Sequence, residues 1–419
     1  MQLTVNKSVA DKKIFDVFFI MLIFGAVLRF AIGVGYYNPQ DTLWYKAWAM
    51  ELQGGLFDIY LKADQISLDY PPIYLFFLKI TGAIYKITGE EVHNYTEMFI
   101  MKLWPILGDI LCSVAIFKVL KPKSPKAAIA ASALWIFNPS VIFNCAFWGQ
   151  TDSIMCLLLL VSFVTLENKK PVLASVLFAI AGMTKYQCLF FTPLFLAELF
   201  VKFKFSKAWL GICGAAATVA AVFLPFMIGS KKPLLFFDVY LKGQGTYPYC
   251  TLNAYNVYGI FGLNWEEDTL GTPSLYALSF VLIAVLIGFM IFCYIYAKRP
   301  SVWVLGFVFM NTLFMFMTRM HERYQFVVLI FILMAAIQHK HRGFFYSFVG
   351  MSLITFVNQA VPMFSWRSDN SFFDRNYGEL MVTFSILNLA LYFVTTYISV
   401  KFILKNKATS RVAEGEATA

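Results

Sequence analysis

Residues 14–33, IFDVFFIMLIFGAVLRFAIG, run straight into residues 36–72, YYNPQDTLWYKAWAMELQGGLFDIYLKADQISLDYPP, and the join decides how the chain is read. The first stretch is about twenty largely apolar residues, enough to span a hydrocarbon core of about 30 Å. It is too long for a signal-peptide core and carries no A-x-A site, so it reads as a retained helix. The second stretch is the first long polar interruption, and it mixes acids with aromatics. Asp41, Trp44, Tyr45, Trp48 and Leu52 recur at helical spacing before Gly54 and Gly55, which predicts a short helix lying at the membrane interface.

Working outward, the same alternation continues. Only 14% of residues are charged and 59% are hydrophobic, and the mean hydropathy is +0.67, far from the roughly 25% charge of soluble domains. Apolar segments at 97–119, 127–147, 153–166, 172–183, 186–201, 209–228, 274–297, 302–317, 324–337, 344–361 and 380–402 complete a set of about twelve spans. The expected fold is all-α, a polytopic membrane bundle forming one domain over residues 1–419. Seven cysteines stand singly inside or beside apolar runs, which indicates neither a disulfide framework nor zinc.

The net charge of +10 would suit nucleic acid if it were clustered. Instead the lysines and arginines concentrate in every second connection: 7–13, 118–126, 169–170, 202–207, 298–299, 340–342 and the tail 403–419. By the positive-inside rule these connections and both termini are cytoplasmic. The outer set comprises the loop 35–96, the turns 148–152 and 184–187, the loop 229–273, and the segments 319–323 and 362–379. No P-loop or dinucleotide fingerprint occurs on the inner side.

The outer set carries the chemically capable residues. Asp41 can take a proton from a hydroxyl or can cap its helix. Asp69, before Pro71 and Pro72, and Asp152, after Trp148-Gly149-Gln150, invite the same two readings. Arg319 and Arg323 are four apart, so on a helix they share a face with His321 and Glu322 beside them, and two guanidiniums suit a phosphate; an interfacial anchor is the other reading. Lys185 is a second candidate cation or a snorkelling lysine. Arg29 and Asp109 lie inside spans, where a charge costs about 2.5–3.5 kcal/mol, and mutual pairing is the simpler account. Trp44, Trp48, Tyr247, Tyr249, Tyr255 and Trp265 can stack on sugars or pack at the interface.

Taken in order, Asp41, DYPP (69–72), FWGQTD (147–152), TKYQ (184–187), NAYN (253–256) and MHERY (320–324) resemble the GT-C membrane glycosyltransferases. They are most similar to bacterial relatives of the GPI-anchor mannosyltransferases and the dolichol-linked-oligosaccharide glucosyltransferases. The TKYQ turn departs from the pattern in lacking a proline after the lysine. The resemblance implies inverting transfer of a hexose from a polyprenyl-phosphate sugar to a glycolipid, cell-envelope polymer or protein on the outer face of the membrane, and the length and compact single domain suggest a bacterial plasma membrane. It makes Asp41 the general base and gives the donor phosphate to the HERY cluster, including His321 and Arg323, while Arg319 and Lys185 join them as candidate phosphate cations on charge and placement. Asp69, Asp152 and Glu322 become secondary acids on the acceptor side. No cofactor is required; Asp41, Asp69 and Asp152 could serve a divalent metal, but no spacing fixes a geometry and none is assigned. The competing class is a transporter or flippase, whose ionisable groups would gather near the midplane in matched halves.

Overall fold

The computed structural model describes residues 2–35, 40–89, 95–297, 300–369 and 378–416. The chain divides into two compact units, Met1–Cys188 with Trp209–Gly243, and Leu189–Ala208 with Gln244–Ala419. Nearly all regular structure is helical, and every predicted apolar segment falls on a helix or a broken helix. Lys298 and Arg299, part of the predicted inner set, lie outside the described residues.

In the first unit, α1 (Gln2–Gly35) leads to α2 (Gln40–Glu51) and α3 (Pro72–Thr88). The buried face of α2 is Tyr45, Trp48, Ala49 and Leu52, a clean i, i+3, i+4, i+7 stripe. Trp44 does not share it: one position before Tyr45, it is rotated about 100° away and is exposed. Pro72 takes the first helical position of α3, where its missing N–H costs nothing. Gly89 closes α3 in the left-handed region, φ 71°, and its N–H reaches the Tyr85 carbonyl. Gly82 lets α2 and α3 touch, since a Cβ there would collide with the Ala49 carbonyl oxygen.

The unit continues with α4 (Tyr95–Leu120) and α5 (Pro125–Ile136), the latter capped by Ser124, whose hydroxyl accepts from the Ala127 N–H at 3.3 Å. The predicted span 127–147 is not one rod. It breaks before α6 (Pro139–Ile142), and the two pieces bend by 50°. Pro139 is the cause: it has no N–H to give, and it forces Asn138 out of the helical region. Asn138 then caps α6 by accepting from the Ser140 N–H at 3.0 Å. A π-helical turn, Phe143–Trp148, follows, and then α7 (Asp152–Glu167) and α8 (Pro171–Thr184). Helices Phe205–Gly229 and Leu235–Gly245 complete the unit.

The buried charges pair as expected. The Arg29 Nε donates to the Asp109 carboxylate, both side chains being fully buried, and Arg29 Nη1 reaches the Gly25 carbonyl at 3.0 Å. Asp109 also accepts from Trp135 Nε1 at 2.6 Å and from Cys145 Sγ at 3.4 Å. One carboxylate thus ties α1, α4, α5 and the π-helical turn.

The second unit is built on Val328–Gln338, buried on all sides from Val328 to Ala336, among Val302–Phe316, Arg342–Asp369 and Gly378–Glu416. A helix apolar all round belongs at the centre of its unit. Pro362 continues the helix Arg342–Asp369, so the outer loop expected from 362 starts later; residues 370–377 lie outside the described residues.

Among the described residues, six helices are long and apolar enough to cross a membrane, and the bent pair makes up to seven. The expected count of about twelve is not reached by this measure. Apolar helices such as Pro171–Thr184 and Val302–Phe316 are about 21–23 Å long at 1.5 Å per residue, short of a full hydrocarbon core.

Candidate active site

In the first unit the FWGQTD string meets Asp41 directly, and DYPP is linked to it through Tyr45 and Gln150. Asp41 is half-buried and stands in the first turn of α2. Its Oδ2 accepts from Trp148 Nε1 at 3.2 Å and from Gln150 Nε2. Trp148 and Gln150 are delivered by the π-helical turn. There the Asn144 carbonyl accepts from the Gly149 N–H at 3.1 Å, the five-residue spacing of a π-turn, and from the next N–H, Gln150, at 2.9 Å. Gly149 has φ 87°, and a Cβ on it would meet Lys102 Cγ at 3.1 Å and Thr42 Cγ2 at 3.4 Å. Only glycine suits that turn.

Behind Asp41, the Tyr45 hydroxyl donates to Gln150 Oε1 at 3.3 Å and shares a 2.7 Å hydrogen bond with the Tyr70 hydroxyl. The rings of Tyr45, Trp48, Tyr70 and Tyr74 pack with centroids 5.5–5.6 Å apart. Trp48 is therefore not an interfacial anchor; it is buried and donates to the Ile66 carbonyl at 2.7 Å. Around this centre, burial raises the Tyr60 hydroxyl well above its ordinary range, with Tyr240 and Asp69 adding to the effect.

Asp152 and Lys185 meet one shell further on. Both are buried, and Lys185 Nζ pairs with the Asp152 carboxylate, which also accepts from Asn144 Nδ2 at 2.9 Å. Asp152 does not cap α7, whose cap position is Thr151 with no side-chain bond. Lys185 does not snorkel. Asp69 does not cap α3 either, because Pro71 holds that place. Lys102, absent from the sequence reading, is buried beneath Gly149 with Nζ 3.4 Å from the Gly33 carbonyl.

The MHERY segment lies in the second unit and is not helical. Met320–His321 forms a short parallel strand pair with Thr251–Leu252, so Arg319 and Arg323 do not share a helix face. The helix before them ends at Phe316, and Arg319 has φ 64°. Arg319 grips the fully buried Asp268 through Nε (2.6 Å) and Nη2 (3.2 Å) and lies over the Tyr276 ring at 3.8 Å. Arg323 Nη1 donates to Glu322 at 2.9 Å. His321 sits half-buried, its ring 5.2 Å from Tyr247 and 5.0 Å from Tyr324.

Amides hold this segment. Asn358 Nδ2 donates to the Asn253 carbonyl (2.6 Å) while its Oδ1 accepts from the Tyr255 N–H (2.9 Å). Asn388 links the Tyr255 carbonyl (2.8 Å) to Gln325 (3.1 Å). Tyr255 is consequently buried framework, whereas Tyr249 and Trp265 pair at 5.2 Å. Burial, helped by Asp268 and Glu266, pushes the Cys250 thiol up to about 11. Among the described residues, no three His, Cys, Asp or Glu side chains gather as a metal site.

Sequence reasoning missed Trp148 and Gln150 as partners of Asp41, although both stand in the quoted FWGQTD string. It missed Tyr45 and Tyr70 as its supports and Asp268 as the partner of Arg319. Short-range spacing carries no signal for these pairs.

The model of glycosyltransferase family 87 matches residues 69–319, well over half the chain. The chain is also similar to the dolichyl pyrophosphate Man9GlcNAc2 alpha-1,3-glucosyltransferase of Saccharomyces cerevisiae, 26% identical over 289 residues that cover 61% of this chain and 52% of the yeast protein. It thus spans about half the length of that relative. With its several membrane-length helices, the chain is a multi-pass membrane protein of the GT-C type and belongs to glycosyltransferase family 87.

Proposed function

We propose that the chain, acting as one integral-membrane domain over residues 1–419, transfers a hexose, mannose or glucose, from a polyprenyl-phosphate sugar to a glycolipid, cell-envelope polymer or protein. The alternation of lysine-rich connections supports inward termini and an outward-facing reaction. The yeast relative's name, with its dolichyl-linked substrate, supports a lipid-linked sugar chemistry. The observation that carries the mechanism is the half-buried Asp41 carboxylate, aimed by Trp148 and Gln150. In this reading Asp41 takes the proton of the acceptor hydroxyl, whose oxygen attacks the anomeric carbon. The bond from that carbon to the phosphate oxygen breaks, the configuration inverts, and polyprenyl phosphate leaves as an anion that needs no separate acid.

A base of this kind supplies roughly 10²–10⁴ in rate, and cations where the leaving charge grows supply more. Among those cations we favour His321 and Arg323 for the donor phosphate; Arg323 pairs through Nη1 with its chain neighbour Glu322, a contact the phosphate would share. Arg319 is committed to Asp268, and Lys185 to Asp152. We read Arg319, Lys185 and Asp152 as braces of the two clusters, with Asp69 and Glu322 on the acceptor side.

The test is transfer from radiolabelled polyprenyl-phosphate mannose or glucose in membranes carrying wild type or Asp41→Asn. Loss of at least a hundredfold with unchanged folding is expected; retained transfer refutes Asp41 as the base.

A further inference from the structure

Gln150 is fully buried, and its amide has two different ends, a donor and an acceptor. The two ends have the same shape, so the neighbours decide which way the amide faces. The carboxylate of Asp41 only accepts, so the NH₂ end of Gln150 must face it. The carbonyl end therefore faces Tyr45, whose hydroxyl must donate to it. That hydroxyl has a single proton. Its 2.7 Å bond with Tyr70 can then only be one in which Tyr70 donates. The direction of every bond in the chain is set by the charge at its end.

We infer that Tyr70, Tyr45 and Gln150 form a one-way donor relay that orients Asp41, and that Tyr70 and Tyr45 are positioning residues for the base. Successive donors polarise one another in a low-dielectric setting. The relay links DYPP, through Tyr70, to the FWGQTD string, through Gln150. The tyrosine of DYPP is the residue through which that motif enters the relay to Asp41. Aromatic packing holds the geometry, since Tyr45 meets Tyr70 and Tyr74 edge-on at 5.6 Å. Phenylalanine at either position keeps the ring and removes only the hydroxyl.

The inference rests on the reading of Asp41 as the base, and two measurements keep the two apart. The first needs no substrate: thermal unfolding of the purified full chain as wild type, Tyr70→Phe, Gln150→Leu and the double variant. A relay makes the sites couple, so Tyr70→Phe should lower the melting temperature about twofold more in the wild-type background than in the Gln150→Leu background. Equal shifts in the two backgrounds overturn the relay, whatever Asp41 does. The second is transfer by Tyr45→Phe, Tyr70→Phe and their double variant. Loss of one relay bond should lower kcat about 2- to 10-fold with KM for the donor unchanged, and Tyr70→Phe should add nothing once Tyr45 is Phe. Multiplying losses, or losses confined to KM, overturn the positioning role. Retained transfer by Asp41→Asn overturns the base reading alone.

Discussion

Replacing Arg29 by methionine leaves the Asp109 carboxylate fully buried with no guanidinium beside it, though still bonded to Trp135 and Cys145. Removing one partner of a buried pair costs about 3–5 kcal/mol, because the other charge must be desolvated alone or neutralised. Removing both is a different experiment. In Arg29→Met with Asp109→Leu no charge is left, and the surviving penalty is the orphaned Trp135 N–H, about 1–3 kcal/mol. The single variant should therefore be less stable than the double, although it changes fewer atoms. The assay is thermal unfolding of both variants in one detergent, where the single change should lower the melting temperature by about 3–6 °C and the second change should restore much of it. A single variant within about 2 °C of wild type, or a double variant less stable than the single, refutes the claim that this pair ties α1 to α4.

Gly149→Ala forces a left-handed residue to carry a Cβ against Lys102, a conformational cost of about 1–2 kcal/mol before any clash; transfer should fall with it, and a wild-type rate would show that the turn tolerates a side chain. Arg319→Lys cannot reproduce the two-pronged grip on Asp268 and should cost about 1.5–3 kcal/mol of stability, read by thermal unfolding beside His321→Ala, which should keep stability and lose transfer. Raising the pH should loosen the segment around Cys250. Its folded thiol is raised from 9.0 to about 11, so its contribution is whole below pH 9 and fades as pH climbs to about 11, whereas an unchanged melting temperature of Cys250→Ser relative to wild type across that window would discount it.

The apolar segments were legible because membrane helices satisfy their own backbone, so length and hydropathy alone place them. Pro72 at a helix start and Tyr45, Trp48 and Leu52 on one buried face are likewise local facts, settled by backbone sterics and the 3.6-residue repeat. The residues worth naming were mostly visible too, since polar groups are scarce in such a chain; Asp41 and the FWGQTD string stood out from their apolar surroundings alone. Their partners did not. Asp41 and Gln150 are 109 residues apart, Arg29 and Asp109 are 80, and Arg319 and Asp268 are 51. Helical spacing says nothing at that range. The MHERY stretch shows the difference most sharply: read alone it continues a helix and lines up two arginines, whereas pairing with Thr251–Leu252 makes it a strand and gives Arg319 to Asp268. Local sequence sets which charges the chain must accommodate, and only tertiary packing decides which of them neutralise one another, because desolvation makes each buried charge take the partner the fold brings near.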